Sequence, residues 1–352
     1  LTPVLPPTDE STCASGICED GTCTPAGNTL SGCRIITSPG TYTLGSSFAQ
    51  PASSDDLIPC ITNWGNWPAC ICIRSDGVTL DCGGESISGF STDDAAGVGI
   101  DASDNVLVTG CSIDNWNEGI TSVGGSNIGI SGNQISNTGA AIDVEADWVD
   151  TGDPTPISGI TVTGNTATGS MSYDLVFWMV DGGTVSGNSL EGDPSGAEGA
   201  IGLTHSSGLT VSDNVISGRG KGIYLEYATN NDITDNDASS NYHGIYLSDS
   251  TDNDITDNDV SSNTQYGIFL QSSSDNSITG NTANSNGENG IYMSDSSNNN
   301  LASNNVCSNF YGDLYCDSEQ TDGNDNACGS QDGCGITCSD CSAPTPPACA
   351  SG

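Results

Sequence analysis

The sequence has almost no positive charge. Only four of its 352 residues are lysine or arginine, against 45 aspartates and glutamates, and the formal net charge is −41. A chain this acidic repels nucleic-acid phosphates and anionic lipid headgroups. We therefore expect neither nucleic acid nor a membrane surface as a partner. A polyanionic substrate would meet the same repulsion.

Long apolar runs are also missing, and the chain starts at Leu1 without a charged and apolar leader. No stretch reaches the roughly 20 apolar residues of a membrane-spanning helix, so we expect no membrane insertion. The sixteen cysteines instead indicate an oxidising compartment. We expect a protein secreted to the extracellular cell surface, with its export signal already removed.

What the sequence does contain is a repeat of about 22 or 23 residues. Four clear copies begin at Gly222-Ile-Tyr-Leu, Gly244-Ile-Tyr-Leu, Gly267-Ile-Phe-Leu and Gly290-Ile-Tyr-Met. Short apolar segments alternate with polar turns, which is typical of strands. One repeat cannot bury its own apolar face, so successive copies must stack. The sequence therefore predicts an all-β, single-stranded parallel β-helix, right-handed and of about ten coils.

The repeat continues upstream in weaker form as far as Val78-Thr-Leu-Asp-Cys82, which we take as the first full coil. The interval from Asn133 to Asn165 is too long for one coil. We therefore predict a loop at residues 143–157, which contains Trp148 and Asp153-Pro154. The predicted organisation is an N-terminal disulfide-rich cap (1–75), a β-helix (76–306) and a Cys-rich C-terminal cap with a Pro-rich tail (307–352).

Alignment of the repeats places equal residues above one another. Stacked Asn side chains can hydrogen-bond along a stack, and Asn tolerates the left-handed backbone of tight turns. We assign these residues a structural role. The clearest column is Asn236, Asn258, Asn281 and Asn304, and two further columns run through Asn231 and Asn241.

These features give the chain a resemblance to known proteins. Residues 78–309 resemble the parallel β-helix repeat family of carbohydrate-binding and sugar-hydrolase-like proteins. They also resemble the periplasmic β-helix proteins that assist copper insertion into nitrous oxide reductase. The segment Asp76-Gly-Val-Thr-Leu-Asp-Cys82 and the Asn-x-Ile-x-x-Asn steps show the match. The resemblance implies the fold and leaves the activity open, since many functions share this scaffold.

The cysteines are confined to the two ends of the chain. Disulfide-bonded caps would cover the open ends of the solenoid, which otherwise recruit strands from other chains. The disulfide candidates are Cys13, Cys18, Cys23, Cys33, Cys60, Cys70, Cys72, Cys82 and Cys111 at one end, and Cys307, Cys316, Cys328, Cys334, Cys338, Cys341 and Cys349 at the other.

Within this set, Cys70 and Cys72 are too close to pair easily with each other, so both should bond elsewhere. Zinc is the alternative for the triplet Cys334, Cys338 and Cys341. The nine cysteines at one end and the seven at the other are both odd numbers, so neither set can pair completely within itself. Either each cap keeps one free thiol, or one chain's cap bonds the cap of the next chain and forms a covalent head-to-tail polymer.

Candidate catalytic residues are few. Lys221, His243 and Tyr266 fall in one column, with Arg219 and Glu226 nearby. A base, an acid and a positive charge could serve β-elimination of a uronate. The same column also fits a solvated turn, and we assign no catalytic residue.

The sequence supports metal binding better than catalysis. Like charges on adjacent coils repel unless a cation relieves them, and calcium prefers carboxylate oxygens. The sequence requires no cofactor, but it predicts possible Ca²⁺ binding at three stacked pairs: Asp232 with Asp254, Asp235 with Asp257, and Asp237 with Asp259.

Two functions follow from these observations. The first is a secreted structural protein, a self-associating subunit of an extracellular filament, sheath or surface layer. Exposed aromatic residues such as Trp64 and Trp67 would then form subunit contacts. The alternative is a β-helix that binds or cleaves a polysaccharide, such as a cell-surface glycan.

Overall fold

The computed structural model describes residues 28–49, 57–61, 67–90, 95–147, 155–192 and 199–341, and the backbone of 17–19 and 22–24. These residues form an all-β parallel solenoid of about 11 turns, and none of them is helical. The predicted fold is confirmed. No helix among the described residues is long and apolar enough to cross a membrane.

Each complete coil contributes strands or single bridges to three parallel sheets, which we call sheets I, II and III in their order along a coil. Sheet I contains Arg34–Ile36, Trp67–Ile73, Ala96–Asp101, Glu118–Val123, Ala140–Glu145, Leu175–Trp178, Gly199–Thr204, Lys221–Glu226, His243–Ser248, Ile268–Gln271, Asn289–Ser294, Gly312–Cys316 and Gln331–Asp332. An additional strand, Ile58–Ile61, pairs antiparallel with Trp67–Ile73.

Sheet II contains Thr29–Leu30, Gly40–Leu44, Val78–Asp81, Val106–Thr109, Ile128–Ser131, Ile160–Thr163, Asp181–Ser186, Ser207–Ser212, Asp232–Thr234, Asp254–Thr256, Ser277–Thr279, Asn300–Ala302 and Thr321–Asp322.

Sheet III begins with Phe48–Ala49, Ser86–Ser88, Ser112–Asp114, Gln134–Ser136, Thr166–Thr168, Ser189–Glu191 and Val215–Ser217. It continues as single bridges through 237, 259 and 282. It ends with Asn305–Val306, Asn326–Cys328 and Cys338–Ser339. A separate hairpin pairs Ile17–Glu19 with Thr22–Thr24.

Strands pair in register because equal positions of the repeat lie above one another. Ile223 pairs with Ile245, which pairs with Ile268, and all three are fully buried. The core is therefore a set of apolar columns along the axis. At ~4.8 Å per coil, the thirteen levels of sheet I give a rod of roughly 60 Å.

The solenoid extends beyond the limits predicted for it. Strands Thr29–Leu30 and Gly40–Leu44 precede Val78–Asp81 in sheet II, so the coil at Val78 is not the first. Strands after residue 306 also pair with the shaft. Both predicted caps thus contain coils of the same solenoid, because each has alternating apolar residues that extend the core columns.

The predicted loop at 143–157 begins later than expected. Residues 143–145 belong to the strand Ala140–Glu145, because Ile142 and Val144 continue the inward apolar columns. Trp148 and Asp153-Pro154 lie outside the described residues, as does Trp64.

Three Asn ladders run along the solenoid. In the ladder through Asn236, each buried amide donates from Nδ2 to the Oδ1 of the Asn one coil further on. The Asn residues of this ladder do not adopt the left-handed backbone that Asn tolerates. The preceding residue has it instead: φ is 55° at both Asp235 and Asp257 and 69° at Gly280.

Six disulfides join the described cysteines. They are Cys33–Cys70, Cys60–Cys72 and Cys82–Cys111 near one end, and Cys307–Cys341, Cys316–Cys334 and Cys328–Cys338 near the other. The zinc alternative is wrong, because its three cysteines are each bonded to another partner. The disulfides agree with an oxidising compartment. Cys13, Cys18, Cys23 and Cys349 have no described side chains.

Candidate functional site

The outer face of sheet I bears a continuous row of aromatic rings. In the repeat Gly-Ile-Tyr-Leu, the Ile and Leu point into the core, so the ring between them must point outward. In-register pairing then brings the rings of successive coils together, with centroids 4.6–5.4 Å apart. The row consists of Tyr224, Tyr246, Phe269, Tyr292 and Tyr315.

The row is only partly covered. Tyr224 is 8% exposed, whereas the other four rings are half-buried. Tyr173 extends the aromatic surface by one step, because its ring lies against Gly199 and Gly202, where a Cβ would come within 3.0 Å of it. The result is an aromatic strip that crosses six coils of one face.

The predicted column of Lys221, His243 and Tyr266 lies beside this row. Lys221 is in register with His243, and the His243 ring stacks on Tyr266 with centroids 5.4 Å apart. The Lys221 ammonium lies 3.6 Å from the ring centroid of Tyr224 and 5.0 Å from that of Tyr246. The lysine is therefore held by cation–π contacts.

Burial sets the protonation of this column. Burial, helped by the Lys221 charge, lowers the pKa of His243 to about 4, so the imidazole is neutral at neutral pH. Glu226, also on the outer face, hydrogen-bonds Tyr224, and burial followed by the Glu226 charge raises the pKa of that phenol. Tyr224 consequently remains protonated, and the face presents aromatic rings and hydroxyl groups.

Arg219 is not part of this cluster, which corrects its predicted place. Its backbone N–H donates to Asn241 Oδ1, so it occupies the head of an Asn ladder and its side chain turns inward. The guanidinium pairs with the fully buried Asp174 and donates to the carbonyl of Ser170 at 2.8 Å. Burial raises the pKa of Asp174 to about 7 despite this partner. Arg219 therefore joins coils inside the solenoid.

Sequence reasoning missed a cluster of three acids on the same outer face. Glu118, Asp143 and Glu145 lie on adjacent strands of sheet I, and Asp143 hydrogen-bonds Glu145. Burial is the main cause of a raised pKa in all three acids. The pKa is about 9 for Glu118, about 7 for Asp143 and about 9 for Glu145. The mutual repulsion of the carboxylates adds to the shifts of the two glutamates.

A hairpin covers the edge of this acid cluster. Strands Ile58–Ile61 and Trp67–Ile73 form it, and the Cys60–Cys72 disulfide fastens it. Arg74 donates to the carbonyls of Pro59 and Cys60. Beneath the hairpin lies a cavity of about 30 Å³ lined by Ile61, Trp67, Glu118, Thr121, Val123 and Asp143.

The aspartate pairs predicted to bind calcium do lie on adjacent coils. Asp232 is in register with Asp254, and Asp237 bridges Asp259. None of these aspartate pairs continues onto the next coil. Ser277 lies in register with Asp254, Thr282 bridges Asp259, and Gly280 takes the position one coil after Asp257. Two carboxylates, or three where Asp213 precedes Asp235, fall short of the six to eight oxygens that calcium requires. The described residues include no group of three or more His, Cys, Asp or Glu side chains arranged to hold a metal ion.

Comparison with known proteins gives one family match. Residues 158–326, a little under half of the chain, match the family described as periplasmic copper-binding protein (NosD). The resemblance to β-helix repeat proteins is thus confirmed for the solenoid. No curated protein sequence matches the chain.

Several solved structures share the fold at low identity. The A-module of Azotobacter vinelandii mannuronan C-5 epimerase AlgE4 is 13% identical, with a TM-score of 0.64 over 80% of this chain and 83% of that one. A mutant of the periplasmic alginate epimerase AlgG is 16% identical, with a TM-score of 0.60 over 82% and 73%. A mutant tailspike protein of Escherichia coli bacteriophage HK620, in complex with a pentasaccharide, is 13% identical, with a TM-score of 0.60 over 81% and 57%. Identities this low establish the fold alone.

The described residues do not fit a copper site. Copper takes soft thiolate and thioether ligands or imidazoles. The sequence has two histidines and three methionines, and Met293 is buried in the core. All twelve cysteines with described side chains are in disulfides. His243 lies between Lys221 and Tyr266, which leaves no set of convergent ligands around it.

Proposed function

We propose that this protein binds an uncharged polysaccharide along the outer face of sheet I. The observation on which the proposal rests is the aromatic row from Tyr224 to Tyr315, which is unbroken over five coils and half-buried in its last four rings. Large apolar surfaces of this kind mark interaction sites on secreted proteins. The row spans about 19 Å at ~4.8 Å per coil, which is long enough for several sugar units.

Rings and hydroxyls together suit a sugar chain. Pyranose rings present apolar C–H faces and polar edges, and tyrosine offers a matching apolar body and polar tip. Tyr246 already donates its hydroxyl to the Gln271 side chain, and Glu226 hydrogen-bonds Tyr224. The face therefore combines apolar contact with oriented hydrogen-bonding groups.

The negative charge of the protein disfavours the binding of acidic glycans. The net charge of −41 repels a polyuronate, and on this face Lys221 is engaged by the Tyr224 and Tyr246 rings. The similar folds named above include proteins whose names describe alginate or mannuronan epimerases and a pentasaccharide complex. They support a glycan as the ligand class, while the charge of this chain favours a neutral one.

The proposal is tested by affinity electrophoresis of the native protein. Gels would contain galactomannan, xyloglucan, mixed-linkage β-glucan, dextran or alginate. We expect at least one neutral polymer to retard the protein, and alginate to leave its mobility unchanged. Retardation by alginate alone would contradict the charge argument, and no retardation by any neutral polymer would refute the proposed function.

A pair of variants locates the surface. Tyr292→Leu removes a central ring of the row and should weaken retardation about tenfold, since one buried contact is worth roughly 1.4 kcal/mol. Tyr227→Leu is the matched control, because Tyr227 is 52% exposed on a turn outside the row. Equal effects of the two changes would place the binding surface elsewhere.

A further inference from the structure

The acid cluster and the aromatic strip lie on one face. Asp143 is in register with Val176, then Gly202, then Tyr224, so the cluster lies three coils before the row. The separation is about 14 Å, and the Tyr173 ring over Gly202 lies within that interval. A glycan bound along the strip and extended past Tyr173 would reach the three carboxyl groups.

The cavity beside the cluster has unmet hydrogen-bonding capacity. Trp67 Nε1, Glu118 Oε2 and Asp143 Oδ1 are buried and find no partner among the described residues. Buried polar groups are almost always hydrogen-bonded, so these three atoms around a space of about 30 Å³ point to a small polar ligand. That volume fits one water molecule.

We propose that Glu118, Asp143 and Glu145 form an acid–base centre that hydrolyses a glycosidic bond of the polysaccharide on sheet I, with the attacking water held beneath Trp67. This inference rests on the proposed binding function and adds an activity to it. Glycoside hydrolysis needs one carboxylic acid to protonate the leaving oxygen and one carboxylate to activate the water. Three carboxyl groups on adjacent strands can provide both.

The protonation states divide the roles. At neutral pH burial holds Glu118 and Glu145 protonated, while the pKa of Asp143 is raised less than theirs. The Glu145 hydrogen bond favours the charged form of Asp143. Glu118 is therefore the acid, Asp143 is the base, and Glu145 is a positioning residue for Asp143.

The hydrolysis needs no reactant other than the glycan and water. Glu118 gives its proton to the glycosidic oxygen, whose bond to the anomeric carbon breaks. Water forms the new bond to that carbon and passes a proton to Asp143, and proton return to Glu118 closes the cycle. β-Elimination and C5 epimerisation both require the C–H bond to be acidified by the carboxyl group of a uronate or its ester, which a glycan of neutral sugars lacks. Hydrolysis is the chemistry that remains for this substrate class.

The test measures new reducing ends in the neutral polymers of the affinity gels. The native protein should release them above the protein-free rate, and in H₂¹⁸O each new end should contain one heavy oxygen. Asp143→Asn and Glu118→Gln should each lower the rate roughly 100-fold or more while retardation in the gels is unchanged. Glu191→Gln, an exposed residue of sheet III, is the control that keeps full activity.

Glu145→Gln separates positioning from catalysis. It should lower the rate less than Asp143→Asn and shift the pH dependence of kcat/KM, because it changes the hydrogen bond to the base. Retention with no new reducing ends would refute this inference and leave the proposed function standing. Full activity in folded Asp143→Asn, checked by its circular dichroism, would also refute it. No retention would refute both.

Discussion

The side chain of Asn236 donates a hydrogen bond from Nδ2 to Oδ1 of Asn258, one coil further along, at 2.9 Å. The same oxygen accepts the backbone N–H of Asn236 at 3.0 Å. Asn258 in turn donates to the carbonyl of Ile233 at 2.8 Å and to Asn281 Oδ1 at 3.0 Å. One buried amide thus satisfies polar groups of three successive coils.

Replacing Asn258 by alanine should therefore be costly. The change leaves the Asn236 N–H and the Ile233 carbonyl buried without this partner, at about 1–3 kcal/mol for each group. We expect a loss of roughly 3 kcal/mol in the free energy of unfolding, measured in urea with the disulfides intact. Asn305→Ala, at an exposed Asn of the same region, should change it by less than ~0.5 kcal/mol. Equal losses would show that the ladder does not stabilise the solenoid.

The repeat predicted much of this fold because its spacing sets the register. Once Gly222, Gly244 and Gly267 are aligned, the inward columns and the Asn ladders follow. The aromatic row was equally visible, as the ring that follows Ile in every copy. The inward position of Arg219 was also predictable, since it lies 22 residues before Asn241 and so at the ladder position of the preceding coil.

The acid cluster was not predictable in this way. Glu118 and Asp143 lie where the repeat is weak, and residue 143 fell inside the predicted loop. Their environment depends on the hairpin that ends in Trp67–Ile73, and on the Cys60–Cys72 bond that fastens it. The way a hairpin docks on a sheet depends on long-range contacts that no local pattern encodes.

The acid cluster should make stability fall as pH rises. In the unfolded chain Glu118 ionises near pH 4.5, whereas burial raises its folded pKa to about 9. Below pH 4.5 both states are protonated and the group has no effect. Between about 4.5 and 9 the unfolded state alone releases the proton, so stability is lost over that window. Thermal unfolding should show a falling Tm from pH 5 to pH 8.

Glu118→Gln isolates this effect from general charge repulsion. The variant should raise Tm at pH 8 by at least ~2 °C and leave it unchanged at pH 4. Added salt screens the exposed charges but not the buried cluster, so the difference between variant and native protein should persist in 1 M NaCl. A difference that disappears in salt would assign the pH dependence to the surface.

His243 should titrate with a midpoint near pH 4. Burial is the main cause of its lowered pKa, and the Lys221 charge is the second. An unfolded histidine takes its proton near pH 6.5, so His243 contributes stability that is present above pH 6.5 and lost as pH falls toward 4.

Proton NMR of the His205→Gln variant, which keeps His243 alone, measures the midpoint directly. Lys221→Met should raise it only slightly, because burial remains. A midpoint near 6.5 in both proteins would mean that the ring is solvated and that its stacking on Tyr266 does not persist in solution.

The disulfide pattern keeps the prediction of a covalent polymer open to test. The three described bonds at the N-terminal end join cysteines of that end, and the three at the C-terminal end do likewise. This pairing leaves Cys13, Cys18 and Cys23 at one end and Cys349 at the other. Because three and one are odd numbers, disulfides formed within each end leave one unpaired cysteine at that end.

Oxidised native protein should therefore give a ladder of multimers on a non-reducing denaturing gel, and the ladder should collapse to one band on reduction. Cys349→Ser removes the C-terminal partner, so only the odd cysteine of the other end can link chains and no species larger than a dimer should form. Ser351→Ala, two residues further on, should leave the ladder unchanged. A single monomer band that takes up no alkylating reagent would mean that all sixteen cysteines pair within one chain, because an unpaired thiol would be alkylated.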